Sequence, residues 1–192
     1  MNTKKENSIM YEGEKMKVYV NRVFFNTIDH PKYFALSIYF QGCDKHPKCP
    51  FCHNKDTWEP FKGFEYDVEA LIRRLKEKIN AIIDSYDKLA VVYLGGEPLA
   101  PYNRKAVFEI SKALKEEFSD KIVNTIYTWR TLEDIETQNL RNYITYMDEG
   151  ILGPYEHDKR NIDENGNLLF PASKNQKYVK FSRRRKTCMK TY

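Results

Sequence analysis

Three of the four cysteines lie close together in one short stretch, QGCDKHPKCPFCHNKDTW, which spans residues 41–58. Five residues separate Cys43 from Cys49, and two separate Cys49 from Cys52. Clustered thiolates are the ligands that both zinc and iron–sulfur clusters take in proteins. The stretch therefore predicts a metal or iron–sulfur centre rather than part of a hydrophobic core.

The number of available ligands separates the alternatives. A closed structural zinc site needs four ligands, and the fourth could come from His46, His53 or the remote Cys188. Cys188 lies in a basic segment with no other ligand-type residue beside it. A four-iron cubane held by three cysteines leaves one iron open to a small chelating substrate. The ligand count favours such a catalytic cluster, with zinc and free thiols as the alternatives.

A second candidate site is the sequence Gly95-Gly96-Glu97-Pro98, which follows an apolar run. Its two glycines would let a ligand approach the backbone closely. Glu97 could accept hydrogen bonds from an amine, and Pro98 would fix the exit of the loop. Taken alone, the same residues are also typical of an ordinary turn.

The elements around these two loops alternate between apolar strands and amphipathic helices. Strands are predicted at residues 18–25, 34–40, 89–94, 121–128, 144–147 and 177–181, and helices at residues 67–86, 103–118 and 131–142. Asp67 is a candidate N-cap, and Thr131 with Asp134 forms a candidate capping box. From Asp148 onward, glycines and prolines predict loops until the last strand.

This series of strand–loop–helix units predicts an α/β fold with a mostly parallel sheet and right-handed crossovers. The cysteine loop and the Gly-Gly-Glu-Pro loop both follow a strand and precede a helix. In a parallel sheet or barrel such loops lie at the carboxyl edge. We therefore expect the two loops to share one face of the fold.

The composition is that of one soluble domain with tails. The chain has 192 residues, of which 41% are hydrophobic and 31% charged. No run of about 18 apolar residues predicts a transmembrane helix, and the polar N-terminus does not resemble a secretory signal. We expect a cytoplasmic protein, in whose reducing surroundings cysteines are ligands or catalysts rather than disulfides. The expected divisions are a flexible N-terminus at 1–16, one domain at 17–182 and a basic tail at 183–192.

The net charge of +5 comes from the C-terminal part of the chain. Residues 174–192 contain eight basic and no acidic side chains, while the rest has 24 basic and 27 acidic ones. Such a tail could bind nucleic acid or an acidic protein surface, or simply be solvated. Because the basic residues do not alternate with aromatic ones, the pattern argues against a platform for stacking bases.

Together the two loops resemble those of the radical S-adenosylmethionine enzymes. In that superfamily three cysteines hold a [4Fe-4S] cluster, and an aromatic residue commonly precedes the last one, as Phe51 does here. A Gly-Gly-Glu-Pro sequence ends the second barrel strand, and residues 95–98 match it letter for letter. The resemblance implies a β/α barrel, which must be partial and open because 192 residues are few for eight strand–helix units.

A closer resemblance is to the activating proteins of anaerobic ribonucleoside-triphosphate reductase. The segments that carry it are CHNKDTW at residues 52–58, YT at 127–128, DEG at 148–150, GPY at 153–155 and ASKNQ at 172–176. The match runs from about residue 36 to residue 181. There are departures from the family pattern: residues 44–48 make the first cysteine gap five residues long where three is usual. Trp129 and Arg130 replace a glycine and an aromatic, and residues 26–34 lack a Gly-Pro-Gly and an arginine.

The resemblance implies the cofactors and the roles of individual residues. Cys43, Cys49 and Cys52 would ligate a [4Fe-4S] cluster, Phe51 would pack beside the adenine of S-adenosylmethionine, and Gly95, Gly96 and Glu97 would hold its methionine end. Pro98 and Thr128 would also contact this cofactor. No protein acid or base is implied, because abstraction of a hydrogen atom needs none.

The resemblance also implies partners. The protein substrate would be the large subunit of anaerobic ribonucleoside-triphosphate reductase, which receives a glycyl radical. An external one-electron donor such as flavodoxin or ferredoxin would reduce the cluster. Two alternatives are a radical enzyme with a small-molecule or peptide substrate and a zinc-binding interaction module. No membrane partner is expected, and nucleic acid is not favoured.

The four histidines stand alone in predicted loops. His30, His46 and His157 are interpreted as structural or solvated side chains. His53 could lie near the cluster or be an ordinary hydrogen-bonded loop residue.

Overall fold

The computed structural model describes residues 15–181. The predicted basic tail, its Cys188 and most of the predicted flexible N-terminus lie outside the described residues. The strands are β1 (Lys17–Asn26), β2 (Ala35–Phe40), β3 (Phe64–Asp67), β4 (Leu89–Gly95), β5 (Ile122–Thr128), β6 (Glu149–Leu152), β7 (Arg160–Ile162), β8 (Leu168–Ser173) and β9 (Lys177–Lys180). The helices are α1 (Val68–Asn80), α2 (Arg104–Phe118) and α3 (Leu132–Thr137), with short 3-10 turns between elements.

One seven-stranded sheet forms the centre, in the order β3-β1-β2-β4-β5-β6-β9. The four central strands, β2, β4, β5 and β6, are parallel to one another. The outer strands pair antiparallel: β1 and β3 on one side, β9 on the other. The predicted α/β fold with a mostly parallel sheet is therefore confirmed for the centre. Within residues 15–181 the sheet is not closed into a barrel, because β3 and β9 are its two unpaired edges.

The two faces of the sheet differ in how they are covered. One face packs against α1 and α2, with Leu75, Ile79, Ile110 and Leu114 in the same buried cluster as the side chains of the sheet. The other face has a smaller cluster that includes the buried Tyr39 and Leu94, and within residues 15–181 no helix residue belongs to it. Burial on both faces explains why β2 and β4 are almost continuously apolar. This second face borders the cleft described below.

The predicted start signals of two helices are confirmed. Asp67 caps α1 by accepting a hydrogen bond from the backbone N–H of Ala70 at 2.9 Å. Thr131 and Asp134 form the expected capping box at the start of α3. Two helices are shorter than predicted. α1 stops at Asn80 instead of continuing to residue 86, and α3 stops at Thr137.

Two predictions about the second half of the chain were wrong. Residues 144–147 do not form the fourth parallel strand: Ile144 ends a 3-10 turn, and the strand β6 follows at Glu149–Leu152. The region after β6, predicted as loops, contains the antiparallel hairpin of β7 and β8. None of the helices formed by residues 15–181 is long and apolar enough to cross a membrane.

Candidate active site

The cysteine loop is closed at its base by backbone hydrogen bonds. The N–H of Gly42 donates to the carbonyl of Thr57 at 2.8 Å, and that of Cys43 donates to the carbonyl of Trp58 at 3.0 Å. The side chain of Gln41 adds two hydrogen bonds from inside, to the backbone carbonyls of Asp56 and Glu59. These hydrogen bonds join the two ends of the loop at the carboxyl end of β2 and so hold the loop with its three cysteines against the sheet.

All three thiols are half-buried and unbridged. Burial raises the pKa of Cys43 to about 11, and burial also raises the pKa of Cys49. A thiol in these positions becomes a thiolate when a metal cation supplies the compensating charge. The donor set therefore fits a metal-containing cofactor.

The spacing of the ligands bears on the kind of metal centre. In residues 15–181, no three His, Cys, Asp or Glu side chains are grouped closely enough to hold one metal ion. A single tetrahedral zinc ion needs its sulfurs about 2.3 Å from the metal. The cysteines of a cubane each bind a different iron and so stand farther apart.

The Gly-Gly-Glu-Pro loop lies directly against the base of the cysteine loop. The N–H of Gly96 donates to the carbonyl of Phe40 at 2.8 Å, and that of Glu97 donates to the carbonyl of Gly42 at 2.7 Å. A Cβ atom on Gly96 would lie 2.1 Å from the carbonyl oxygen of Gly42. The glycines were expected to admit a ligand, which stays a prediction; the structure shows that Gly96 admits the backbone of the cysteine loop and Gly95 that of β2. The two loops expected at one edge are therefore in contact.

Glu97 is fully buried, and its carboxylate is surrounded by donors of the protein. One oxygen accepts from the N–H of Leu99 and the hydroxyl of Thr128, both at 2.8 Å, and the other accepts from the N–H of Trp129 at 3.1 Å. Burial raises the pKa of Glu97 to about 7, against the guanidinium of Arg130 and these hydrogen bonds, which lower it. The side chain joins the ends of β4 and β5. Its predicted hydrogen bond to a cofactor amine stays a prediction.

A cleft opens beside the two loops, at the carboxyl end of the parallel strands. One part is a cavity of about 700 Å³ whose lining includes Cys52, His53, Tyr39 and Tyr127. A smaller part, about 130 Å³, is lined among others by Gly95, Gly96 and Thr128. The two parts share five lining residues, namely Asn54, Leu94, Tyr127, Tyr155 and Gln176. A cysteine, both glycines and the threonine predicted to bind cofactor thus border one continuous cleft.

Two other predicted residues lie elsewhere. Pro98 is buried and is not among the residues that line the cleft. Phe51 is 61% exposed, and its ring stacks on that of His157 at a centroid distance of 4.3 Å. The predicted contacts of Phe51 and Pro98 with the cofactor stay predictions.

The segment after β6 contributes residues that the sequence did not single out. The ring of Tyr155 packs on His53 at 4.6 Å between centroids, and its backbone hydrogen-bonds the thiol of Cys49. His157 is half-buried and stacks on Phe51, which agrees with the structural rather than the solvated interpretation of this histidine. The only sequence signal was the Gly-Pro-Tyr match at residues 153–155, because a lone histidine carries no information about a partner remote in the chain.

His30 is buried, unlike a solvated loop residue. It is 4% exposed, and its Nε2 lies 2.7 Å from a carboxylate oxygen of Glu149. The structural interpretation of this histidine therefore agrees with its burial and contact.

The geometry defines an α/β protein with three free cysteines on one loop at the carboxyl edge of a parallel sheet. The family model described as a 4Fe-4S single cluster domain matches residues 34–179. The chain belongs to this family, among the radical S-adenosylmethionine enzymes that activate glycyl-radical proteins. A [4Fe-4S] cluster and S-adenosylmethionine are its cofactors. The family match thus confirms the prediction of an iron–sulfur cluster over that of a zinc site.

Three named relatives each match more than half of the chain. The anaerobic ribonucleoside-triphosphate reductase-activating protein of Pasteurella multocida (strain Pm70) is 26% identical over 147 residues, which are 76% of this chain and 87% of the relative. The protein of that name from Vibrio cholerae serotype O1 is 31% identical over 118 residues, or 59% and 71% of the two chains. The pyruvate formate-lyase-activating enzyme of Clostridium pasteurianum is 30% identical over 99 residues, or 51% and 39%.

Proposed function

We propose that this enzyme cleaves S-adenosylmethionine reductively and generates a glycyl radical on the large subunit of an anaerobic ribonucleoside-triphosphate reductase. The observation that carries the proposal is the contact between the cysteine loop and the Gly-Gly-Glu-Pro loop at one open cleft. Cys43, Cys49 and Cys52 would hold the cluster. Gly95 and Gly96 would receive the methionine end of the cofactor, and Thr128 would line the same cavity.

When bound at Cys43, Cys49 and Cys52, the cluster would supply one-electron reduction of S-adenosylmethionine and would itself be oxidised by one electron; methionine and 5′-deoxyadenosine would be released, the latter carrying the hydrogen atom lost by a glycine of the partner. An external donor such as flavodoxin or ferredoxin would provide that electron. The residues of this chain would bind and orient the cofactor and exclude water. The fully buried Glu97, held by Thr128 and Trp129, would keep the ends of β4 and β5 at a fixed separation beneath it.

A protein substrate is supported by the rim of the cleft. Ile28, Leu168 and Leu169 line its larger part, yet their side chains are 80%, 49% and 45% exposed. Exposed apolar residues that adjoin a cleft are typical of protein interaction sites. Two relatives, each matched over most of its own length, are named as activating proteins of the reductase, which favours that partner.

The test begins with reconstitution by iron and sulfide without oxygen. About four irons per chain and release of methionine on addition of reductant and S-adenosylmethionine are expected. A candidate reductase subunit is then added, and electron paramagnetic resonance (EPR) should show a glycyl doublet. One tightly bound zinc with no uptake of iron would contradict the proposal at its first step.

A second candidate partner is a glycyl-radical protein of the pyruvate formate-lyase type, which the Clostridium relative supports. The same experiment separates the two, because each partner is added alone. Cleavage of S-adenosylmethionine without a doublet on either protein would favour a small-molecule or peptide substrate.

A further inference from the structure

Two features in which this sequence departs from the family pattern meet in the structure. Asp44 is the first of the five residues between Cys43 and Cys49, a gap in which three residues are usual. Its carboxylate accepts hydrogen bonds from Arg130, with Nη2 at 2.6 Å and Nη1 at 3.3 Å. The indole Nε1 of Trp129 donates to the same carboxylate at 3.1 Å. The longer loop is thus attached to the two residues that replace a glycine and an aromatic after β5.

Arg130 extends this contact to the Gly-Gly-Glu-Pro loop. Its Nη1 lies 3.2 Å from an oxygen of Glu97, and its Nε donates to Gln138 at 3.0 Å. The arginine side chain is only 4% exposed, and that of Asp44 is 24% exposed. A two-point arginine–carboxylate contact with little solvent around it fixes orientation as well as distance.

We propose that Asp44 and Arg130 are positioning residues, which hold Cys43 in register with the Gly95-Gly96 pair. Asp44 follows Cys43 directly, and Glu97 follows Gly96 directly, so the chain Asp44–Arg130–Glu97 joins the first cysteine to the glycines. The inference rests on the proposed function, because its consequence is the position of the open iron relative to the methionine end of the cofactor.

The other two cysteines have different anchors. Cys49 accepts a backbone hydrogen bond from Tyr155, and its own carbonyl accepts from the N–H of Cys52 at 3.3 Å. The backbone of Cys43 stays attached to Trp58 without Asp44, so loss of the Asp44 contact should shift Cys43 slightly and leave Cys49 and Cys52 in place. The expected defect is a misplaced cofactor on an otherwise intact cluster.

The test compares Asp44→Asn with Asp56→Asn. Asp56 lies in the same cysteine loop, and its side chain forms an ion pair with Arg22 at 2.6 Å that does not involve Arg130. Both variants remove one negative charge from the loop. They are expected to take up the same iron as the wild type and to unfold at similar urea concentrations.

The readout is a titration with S-adenosylmethionine of the reduced cluster, followed by its EPR spectrum. Asp44→Asn should need about tenfold more cofactor than the wild type for the same spectral change, as loss of a supporting residue around a metal site does. Asp56→Asn should follow the wild type, and Asp44→Glu should recover part of the loss. Arg130→Lys tests the same contact from the other side if Asp44→Asn takes up too little iron.

The inference would be overturned if Asp44→Asn, Arg130→Lys and Asp56→Asn all gave the same titration curve as the wild type. The proposed function would then remain intact. A wild-type cluster whose spectrum did not respond to S-adenosylmethionine would instead overturn the proposed function, and this inference with it.

Discussion

At the scale of single residues, Gly96 is the position where the two loops leave no room for a side chain. The Cβ of Gly96→Ala would lie 2.1 Å from the carbonyl oxygen and 2.5 Å from the carbonyl carbon of Gly42, and neither can rotate away. We expect the loops to separate at a cost of about 3 kcal/mol in the free energy of unfolding. Urea denaturation of the cluster-free protein measures this cost, and the reconstituted variant should bind S-adenosylmethionine more weakly.

Gly166→Ala is the matched control. It has a φ of +81°, but a Cβ there would meet no atom within 4 Å. Only the backbone conformation opposes it, at about 1 kcal/mol. Equal losses for Gly96→Ala and Gly166→Ala would mean that the loop contact is not what requires glycine.

Glu97 should give the stability of the cluster-free protein an unusual dependence on pH. Burial raises its pKa from 4.5 to about 7, so between these values the folded protein retains a proton that the unfolded chain has lost. This stabilisation is complete below the unfolded pKa and is lost as the pH rises to about 7. The stability of the wild type relative to Glu97→Gln should therefore fall by about 3 kcal/mol over that range. Parallel curves in urea denaturation would contradict the raised pKa.

Residue type and spacing were sufficient to find the cysteines and the glycines, because their chemistry is local to short segments. The contact of Asp44 with Arg130 could not be predicted in the same way. It joins the loop after β2 to the loop after β5, and either residue alone is typical of a solvated surface. The contacts of Tyr155 with His53 and of His157 with Phe51 were not predicted for the same reason: the partners belong to a distant segment.

At the scale of elements, the hairpin of β7 and β8 offers a test of partner binding. Leu168→Ser and Leu169→Ser change exposed side chains on the rim of the cleft. The stability of the protein and its cleavage of S-adenosylmethionine should change little. The glycyl radical formed on the partner should fall several-fold, because an apolar contact with the partner is lost. EPR spin counts divided by the methionine released measure this ratio.

Ile162→Ser is the control within the same hairpin. Ile162 is 44% exposed, close to the two leucines, but it is not among the residues that line the cleft. If all three variants lowered the ratio equally, or none did, the rim would not be the docking surface.

The central elements could be predicted because burial on both faces leaves a continuous apolar signature in β2 and β4. The fourth parallel strand was predicted at the wrong residues because Ile144 and Met147 are buried as part of a turn rather than a strand. Met147 donates to the carbonyl of Ile144 at 3.0 Å in that turn. The real strand, β6, begins with Glu149 and Gly150, which have low strand propensity but are buried between β5 and β9. Tertiary packing overrides local preference there.

At the scale of the whole molecule, one buried carboxylate connects parts of the chain that are far apart in sequence. Glu149 of β6 accepts hydrogen bonds from His30, in the loop between β1 and β2, and from Tyr178 of β9. The Nδ1 of His30 accepts from two backbone N–H groups, those of Lys32 and Tyr33, so its proton is on Nε2 and faces Glu149. The connection ties the loop after β1 to the opposite edge of the sheet.

Glu149→Gln should therefore destabilise the entire domain. The stabilisation by Glu149 should depend on pH in the opposite sense to that by Glu97. Burial alone would raise the pKa of Glu149, but the hydrogen bonds from His30 and Tyr178 lower it overall. The stabilisation is thus present at neutral pH and is lost as the pH falls through the lowered pKa. At pH 7 the variant should lose about 2 kcal/mol of unfolding free energy, and the difference from the wild type should shrink only as the pH falls below 4.5. Glu65→Gln is the control, since Glu65 also accepts hydrogen bonds from one basic side chain and one tyrosine, Lys17 and Tyr19, but on an exposed surface. An effect of Glu65→Gln as large as that of Glu149→Gln would show that burial of the cross-sheet contact is not what stabilises the domain.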